Sequence, residues 1–153
     1  MATTWDPIDM EKVAFHEAGH AVVAWALGAR PTRIYLGLEK QDGAAISEVD
    51  LTHPCIVQQI AFHYAGPVSE EIFKGPASSH RCSGDHLNVH VLLQKNGTPE
   101  EEPEGQALQV KAYALAERLL RRHEAKVAGV AEALLPPPHE IDGAKFEQLM
   151  REG

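Results

Sequence analysis

Residues 13–25, Val-Ala-Phe-His-Glu-Ala-Gly-His-Ala-Val-Val-Ala-Trp, contain the pattern His-Glu-x-x-His within an apolar run. On a helix, side chains four residues apart lie on the same face. His16 and His20 can therefore both direct an imidazole at one zinc ion, while Glu17 reaches the open side of the metal. Hydrolysis of a carbonyl compound at zinc uses such nitrogen ligands together with a carboxylate that takes a proton from water. The stretch predicts a metal-binding helix with Glu17 as the catalytic base.

The apolar residues on both sides of the motif predict that its polar side chains are buried. Val13, Ala14 and Phe15 precede it, and an apolar segment, residues 21–25, follows it. A buried imidazole pair with a buried carboxylate is costly unless these groups are paired. A bound cation would pair with them. The alternative is that ordinary hydrogen bonds in a protein core satisfy all three groups.

Length, charge and cysteine content restrict the class of protein. A chain of 153 residues fits one domain that is large enough to bury a core. Its net charge of −8 and isoelectric point of about 5.5 argue against nucleic acid or an anionic membrane surface as a partner. The sequence has no signal-peptide pattern, no apolar run of roughly 18 residues that could span a membrane, and only two cysteines. We therefore expect a cytoplasmic protein with no nucleic-acid and no membrane partner.

Capping and turn residues divide the chain into helices and one short β segment. Asp6 and Pro7 begin the first helix, and Gly28 ends it. Residues 33–38 and 44–49 predict a β-hairpin around a turn at 41–43. A peptide substrate could add to the edge of this hairpin as a further strand; alternatively, the hairpin only covers the core. The predicted helices are 7–27, 54–65, 68–73, 85–95, 106–122, 124–135 and 142–150.

The connections between these helices carry their own signals. Gly66-Pro67 kinks the second helix or restarts it as a separate element. Residues 77–84 and 96–105 are predicted to be polar loops, and the proline run 136–138 is predicted to be a rigid break. The elements together predict a mainly α fold of the α+β kind, with a small β-hairpin or sheet and a C-terminal helical bundle. We expect a single domain over residues 1–153, with a metal-site core in 1–95 and the C-terminal helices in 106–153.

Catalytic zinc takes three protein ligands and keeps one position open, so a third ligand must come from elsewhere in the chain. A longer form of the motif supplies it from a later His, but would need Gly at 23 and His at 26, where this chain has Val and Ala. The remaining options are carboxylates, either Glu70 or Glu71 on the second helix or Asp85 at the start of the third. A second metal site is a further possibility because the segment around Asp85 is rich in other possible ligands, namely His80, Cys82, His86 and His90.

The chain resembles the protease domain of the FtsH-type zinc metalloproteases over nearly its whole length. The resemblance begins at residues 16–22, and Gly43-Ala44-Ala45 is similar to the family's Gly-x-Ala element on the substrate-side strand. Residues 65–73 are similar to the family's Gly-Arg-x-x-Glu-Glu segment, and Ser83-Gly84-Asp85 falls where the family has an Asn-Asp pair. The resemblance implies that His16, His20 and Asp85 hold zinc and that Glu17 is catalytic. It also implies that Glu70 and Glu71 belong to the scaffold.

The chain departs from this family in three ways. It begins directly at the protease domain, without the AAA ATPase module and the membrane-spanning helices that the family usually carries upstream. Pro67 replaces the family's Arg, and the loop around Cys82 lacks the usual Thr-Gly-Ala-x-Asn sequence. The acidic segment 96–105 is shorter than its counterpart. We therefore expect a stand-alone domain. The first departure bears on ATP-driven unfolding, and the other two bear on the shape of the substrate cleft.

The resemblance implies a zinc-dependent metallopeptidase that hydrolyses peptide bonds of unfolded proteins or peptides. Its partners would be a polypeptide substrate and either further copies of itself or a separate AAA ATPase. The alternative function is a catalytically silent adaptor or regulatory module that keeps the same fold and works by binding. A purely structural metal site, closed by a fourth protein ligand, is a third possibility.

Overall fold

Six helices and two short strands make up the part of the chain that the computed structural model describes, residues 7–36, 55–75 and 79–152. Side chains are described for all of these residues except 7–9 and 79–83. The strands are β1 (Arg33–Tyr35) and β2 (Glu140–Asp142), which pair in an antiparallel sheet. This confirms the predicted mainly α fold with a small β element. The helices are α1 (Pro7–Ala26), α2 (Ile56–Lys74), α3 (Ser79–Lys95), α4 (Pro103–Arg122), α5 (Glu124–Leu134) and α6 (Gly143–Glu152).

Helix α1 lies at the centre of the molecule and packs against α2, α5 and α4. Its apolar residues Ala18, Ala21 and Val22 are fully buried, as the sequence around the motif predicts. The helix ends at Ala26, and Gly28, two residues later, has a φ of 97°. The N–H of Ala29 donates to the carbonyl of Ala24 (2.9 Å), a bond that satisfies one of the last carbonyls of the helix.

Helices α1 and α2 cross at very short range because the residues at the crossing are small. A Cβ atom added to Gly19 would lie 2.5 Å from the Cβ of Ser69 and 2.7 Å from the carbonyl oxygen of Ala65. The hydroxyl of Ser69 donates a hydrogen bond of 2.6 Å to the carbonyl of Phe15. This close contact brings the backbone of α2 up to the histidine face of α1.

Helix α2 runs without interruption from Ile56 to Lys74, so the predicted restart at Gly66-Pro67 is wrong. Pro67 has no N–H and cannot donate to the carbonyl of His63 one turn earlier. The helix continues nonetheless because every residue in its middle, from Tyr64 to Glu70, is buried. Tertiary packing therefore outweighs the local cost of proline.

Helix α3 begins at Ser79, six residues before the predicted start. The predicted polar loop over 77–84 is therefore wrong for residues 79–84, and Asp85 lies in the second turn of a helix. Val89 and Leu93 of α3 are buried in the core, and Asp85 contacts the histidines of α1. These contacts favour the helix over the weak helix propensity of the Ser and Gly residues in its first turns.

The sheet pairs two segments that are far apart in sequence. Ile34 of β1 lies opposite Ile141 of β2, and the side chains of Arg33 and Glu140 form an ion pair of 2.9 Å. Sequence analysis did not predict β2. The predicted hairpin partner of β1, residues 44–49, lies outside the described residues. Asp142 then begins α6, because its carboxylate accepts a hydrogen bond of 2.8 Å from the N–H of Lys145.

The C-terminal helices contribute to the same core as α1. Val127, Leu134 and Phe146 are fully buried and belong to one cluster with Val22 and Ile34. Helix α4 begins at Pro103, and proline suits the first turn of a helix. The observed loop is therefore three residues shorter than the predicted loop over 96–105. Within the described ranges, no helix has both the length and the hydropathy needed to cross a lipid bilayer.

Candidate metal centre

Helix α1 places the two histidines of the motif on one buried face, one turn apart. His16 is 3% exposed and His20 is 5% exposed. Their Nε2 atoms point at each other across 3.2 Å. The arrangement is the one that the spacing predicts, with both ligand nitrogens directed at a single point.

Asp85 of α3 completes a group of three donor atoms around that point. Its Oδ2 atom lies 2.9 Å from Nε2 of His16 and 3.3 Å from Nε2 of His20. Donor atoms at about 2.0–2.1 Å from one tetrahedral zinc ion lie about 3.3 Å from each other, so these spacings fit such an ion. Among the described residues, His16, His20 and Asp85 form the group of His, Cys, Asp and Glu side chains that is compact enough to hold a metal.

The second nitrogen of each imidazole shows which form of the ring is present. Nδ1 of His20 lies 2.8 Å from the carbonyl oxygen of Phe62, and Nδ1 of His16 lies 2.5 Å from Oε2 of Glu70. A carbonyl and a carboxylate accept hydrogen bonds, so both Nδ1 atoms carry the proton. Each neutral ring then keeps its lone pair on Nε2. In this neutral form, two nitrogen lone pairs and a carboxylate converge on one point, and a cation satisfies all three at once.

Gly66 of α2 forms one wall of the site. A Cβ atom at this position would collide with Nε2 of His20, and it would lie 2.5 Å from Nε2 and 2.7 Å from Cε1 of His16. The backbone of α2 therefore approaches the converging nitrogens at a distance that no other residue type permits. From the sequence, Gly66 was interpreted as a kink or restart of the second helix and as part of the segment similar to the family's Gly-Arg-x-x-Glu-Glu, and not as a wall of the site.

Neither Glu70 nor Glu71 belongs to the group of converging donor atoms. Glu70 is fully buried and binds the Nδ1 side of His16, behind the metal position. Glu71 is exposed, and its Oε2 atom accepts a hydrogen bond of 2.6 Å from the hydroxyl of Tyr113. Of the three carboxylates that sequence analysis left open, only Asp85 reaches the Nε2 atoms. Glu70 orients a ligand, which is the commonest role of a carboxylate next to a metal-bound histidine.

Glu17 lies on α1 directly after His16 and is fully buried. It is not among the three side chains that converge at the metal position. A carboxylate that is buried beside the ligands but is not one of them can exchange a proton with a molecule bound there.

Two pKa values reflect the electrostatics of the site. Burial alone would raise the pKa of Asp85, but the charge that His20 carries when protonated, and the hydrogen bonds that both imidazoles donate in that form, hold it well below its usual range. Burial, together with the nearby charge of His20, lowers the pKa of His63 to about 4, against an opposing effect of Asp85. Asp85 is therefore an anion and His63 a neutral imidazole near pH 7.

The other candidate ligands do not form a second cluster in the part of the chain where side chains are described. His86 is exposed on α3, and Nδ1 of His90 lies 2.6 Å from Oε1 of Glu100. The side chains of His80 and Cys82 lie outside the described part.

Comparison of the sequence with profiles of known protein families and with curated proteins found no match in either. The assignment of the site therefore depends on the geometry of its side chains.

We expect the substitution Glu70→Gln to weaken zinc binding about 10- to 100-fold, because an amide holds the imidazole of His16 less firmly than a carboxylate does. The neighbouring substitution Glu71→Gln makes the same chemical change at an exposed side chain and is the matched control. Competition with a fluorescent chelator measures both dissociation constants. Equal affinities for the two variants would contradict the role assigned to Glu70.

Proposed function

We propose that this chain is a zinc-dependent metallopeptidase of the FtsH type. The observation that carries the proposal is the convergence of the His16 and His20 Nε2 atoms and the Asp85 carboxylate on one point, with the buried Glu17 directly after His16 in the chain. Two imidazoles and one carboxylate are a common ligand set of catalytic zinc, and three protein ligands leave a fourth position for water or substrate. In the described part of the chain no fourth side chain joins this group, which favours a catalytic site over a structural one.

The residues of the chain would divide the reaction between them. A bound zinc ion would supply Lewis acidity, which polarises the scissile carbonyl and makes water easier to deprotonate at neutral pH. Glu17 accepts the proton of the attacking water and passes it to the nitrogen of the departing amine, so that the bond between carbonyl carbon and nitrogen breaks. Glu70 and the carbonyl of Phe62 keep both imidazoles in the form that binds a metal.

The substrates of such a domain would be short peptides or unfolded chains. Cleavage of folded proteins would need a separate AAA ATPase or another unfolding activity, and a homo-oligomer is the arrangement in which FtsH-type domains would meet such a partner. We further propose a cytoplasmic location, because the chain has only two cysteines and Cys55 is a free thiol.

Hydrolysis of unfolded casein tests the proposal. We expect cleavage by the zinc-loaded protein, loss of cleavage after treatment with a chelator, and recovery when zinc is added back. Zinc bound at one equivalent without any cleavage of casein or of a peptide library would instead favour the adaptor function.

The substitution Asp85→Asn is expected to weaken zinc binding about 100-fold or more, because a neutral amide replaces the one anionic ligand. Asp142→Asn is the matched control, since Asn caps a helix as well as Asp does and Asp142 lies at the start of α6. Elemental analysis after dialysis against a chelator gives the zinc content of each protein. Full zinc retention by Asp85→Asn would remove Asp85 from the ligand set.

A further inference from the structure

One face of α2 is directed at the metal position. Gly66 lies against the Nε2 atoms of both histidines, and Glu70, one turn later, binds Nδ1 of His16. His63 lies one turn before Gly66, and residues at positions i, i+3 and i+7 share a face of a helix. His63 is therefore the third member of a row in which the other two already contact the metal ligands.

The direction of the two helices places His63 at the end of the site where His20 lies. Glu70 of α2 is beside His16 of α1, whereas the carbonyl of Phe62 is beside His20. Along α2 the chain therefore reaches the level of His20 before that of His16, which is the reverse of their order on α1. His63 follows Phe62 directly, and the two rings contact each other with centroids 5.2 Å apart.

His63 is close to the site without belonging to the ligand set. The residue before it, Phe62, accepts a hydrogen bond from Nδ1 of His20 at its carbonyl, which holds this part of α2 beside the site. In the described structure the compact donor group consists of His16, His20 and Asp85, so His63 is not a fourth ligand of it. The side chain is half-buried, so part of the imidazole is exposed.

On the basis of the proposed peptidase function, we propose that His63 is a further catalytic residue, whose imidazole N–H donates a hydrogen bond to the negatively charged oxygen of the tetrahedral intermediate. That oxygen develops when water adds to the scissile carbonyl, and it returns to a carbonyl when the amine departs. An imidazole carries at least one N–H in either protonation state, so His63 can serve as a donor. A donor that is directed at an oxygen whose charge develops during the reaction lowers the barrier more than it strengthens substrate binding.

The substitutions His63→Leu and His63→Gln test this role. Leu removes the donor at similar volume, and Gln retains an N–H donor. We expect His63→Leu to lower kcat about 100-fold with little change in KM, and His63→Gln to recover most of the loss. His90→Leu removes an imidazole from α3, where it pairs with Glu100, and is the matched control with unchanged kcat. If His63→Leu does not fold, His63→Ala replaces it.

Binding of a phosphinic peptide provides a readout that is independent of turnover. Its tetrahedral phosphorus carries charged oxygens that resemble the intermediate, so we expect His63→Leu to weaken its binding about 100-fold in titration calorimetry. Zinc affinity and the visible spectrum of the cobalt-substituted protein should stay as in the wild type, because His63 is not a ligand. A changed cobalt spectrum, or an increase in KM alone, would overturn the assignment.

The proposed function and the role of His63 would be contradicted by different results. If the zinc-loaded wild type hydrolyses no peptide, the proposed function fails and the role of His63 fails with it. If the wild type is active and His63→Leu is equally active with unchanged binding of the phosphinic peptide, only the role of His63 is overturned.

Discussion

The Glu17→Gln protein is expected to hydrolyse peptides about 100- to 10,000-fold more slowly than the wild type, while it binds zinc equally well. Gln has the size of Glu but cannot accept the proton of the attacking water at neutral pH, and loss of a general base costs about 10²- to 10⁴-fold. Zinc binding should persist because Glu17 is not among the converging ligands. Casein hydrolysis and zinc content are both measured on the same preparation.

The control for this variant is Glu132→Gln, which makes the same change at an exposed residue of α5 and should leave both quantities unchanged. If Glu17→Gln retained activity, Glu17 would not be the base. If it instead lost its zinc, the carboxylate would contribute to holding the metal or to the fold around it. The combination of lost turnover and retained zinc is what separates a proton-transfer role from a structural one.

The substitution Gly66→Ala is expected to abolish stoichiometric zinc binding with the addition of a single methyl group. That methyl would occupy the space where the ligand nitrogens converge, 2.5 Å from Nε2 of His16. The rings have little freedom to move away, because Glu70 and the carbonyl of Phe62 hold their Nδ1 atoms. Overpacking of a tight site costs about 1–3 kcal/mol, so the metal-free variant should also unfold more readily.

Gly129→Ala is the matched control for this second variant. Gly129 lies in α5, and a Cβ atom there would have no neighbour within 4 Å. Ala at an open helical position favours the helix by up to about 1 kcal/mol, so this variant should be as stable as the wild type or slightly more stable. Thermal unfolding of the metal-free proteins and zinc titration distinguish the two. A Gly66→Ala protein that bound zinc normally would show that α2 does not form the wall described above.

Local sequence spacing was sufficient to predict that His16 and His20 share one buried face of α1. The positions of His16 and His20 depend only on the geometry of one helix, and the buried face follows from the apolar residues around them. Asp85 is different, since its place depends on how α3 packs against α1. Spacing alone left three carboxylates open, and the choice of Asp85 came from a family resemblance.

The distinction between Glu70 and Glu71 illustrates what the sequence alone did not reveal. The two residues are adjacent and chemically identical, but one is fully buried against His16 and the other is exposed beside Tyr113. Only the rotation of α2 against α1 decides which is which. A signal was nevertheless present, because Gly66 and Glu70 are four residues apart, and a small residue on the same face as a buried acid indicates a close helix contact.

Strand β2 was missed for a related reason. It has three residues, with one buried side chain, so it shows too little alternation to be recognised. Its pairing with β1 is a long-range property of the fold. The predicted restart at Pro67 and the predicted loop over residues 79–84 were wrong for the same reason, because tertiary packing outweighed the local preferences of the residues there.

The ion pair between Arg33 and Glu140 joins residues that are 107 positions apart. Closing so long a segment of chain carries a large entropic cost, whereas neighbouring helices such as α4 and α5 meet after short connections. We therefore expect the sheet to assemble late, on a helical framework that is already compact. The helices would then form before the strands. The segment that follows α1 and contains β1 would be the last part to become rigid.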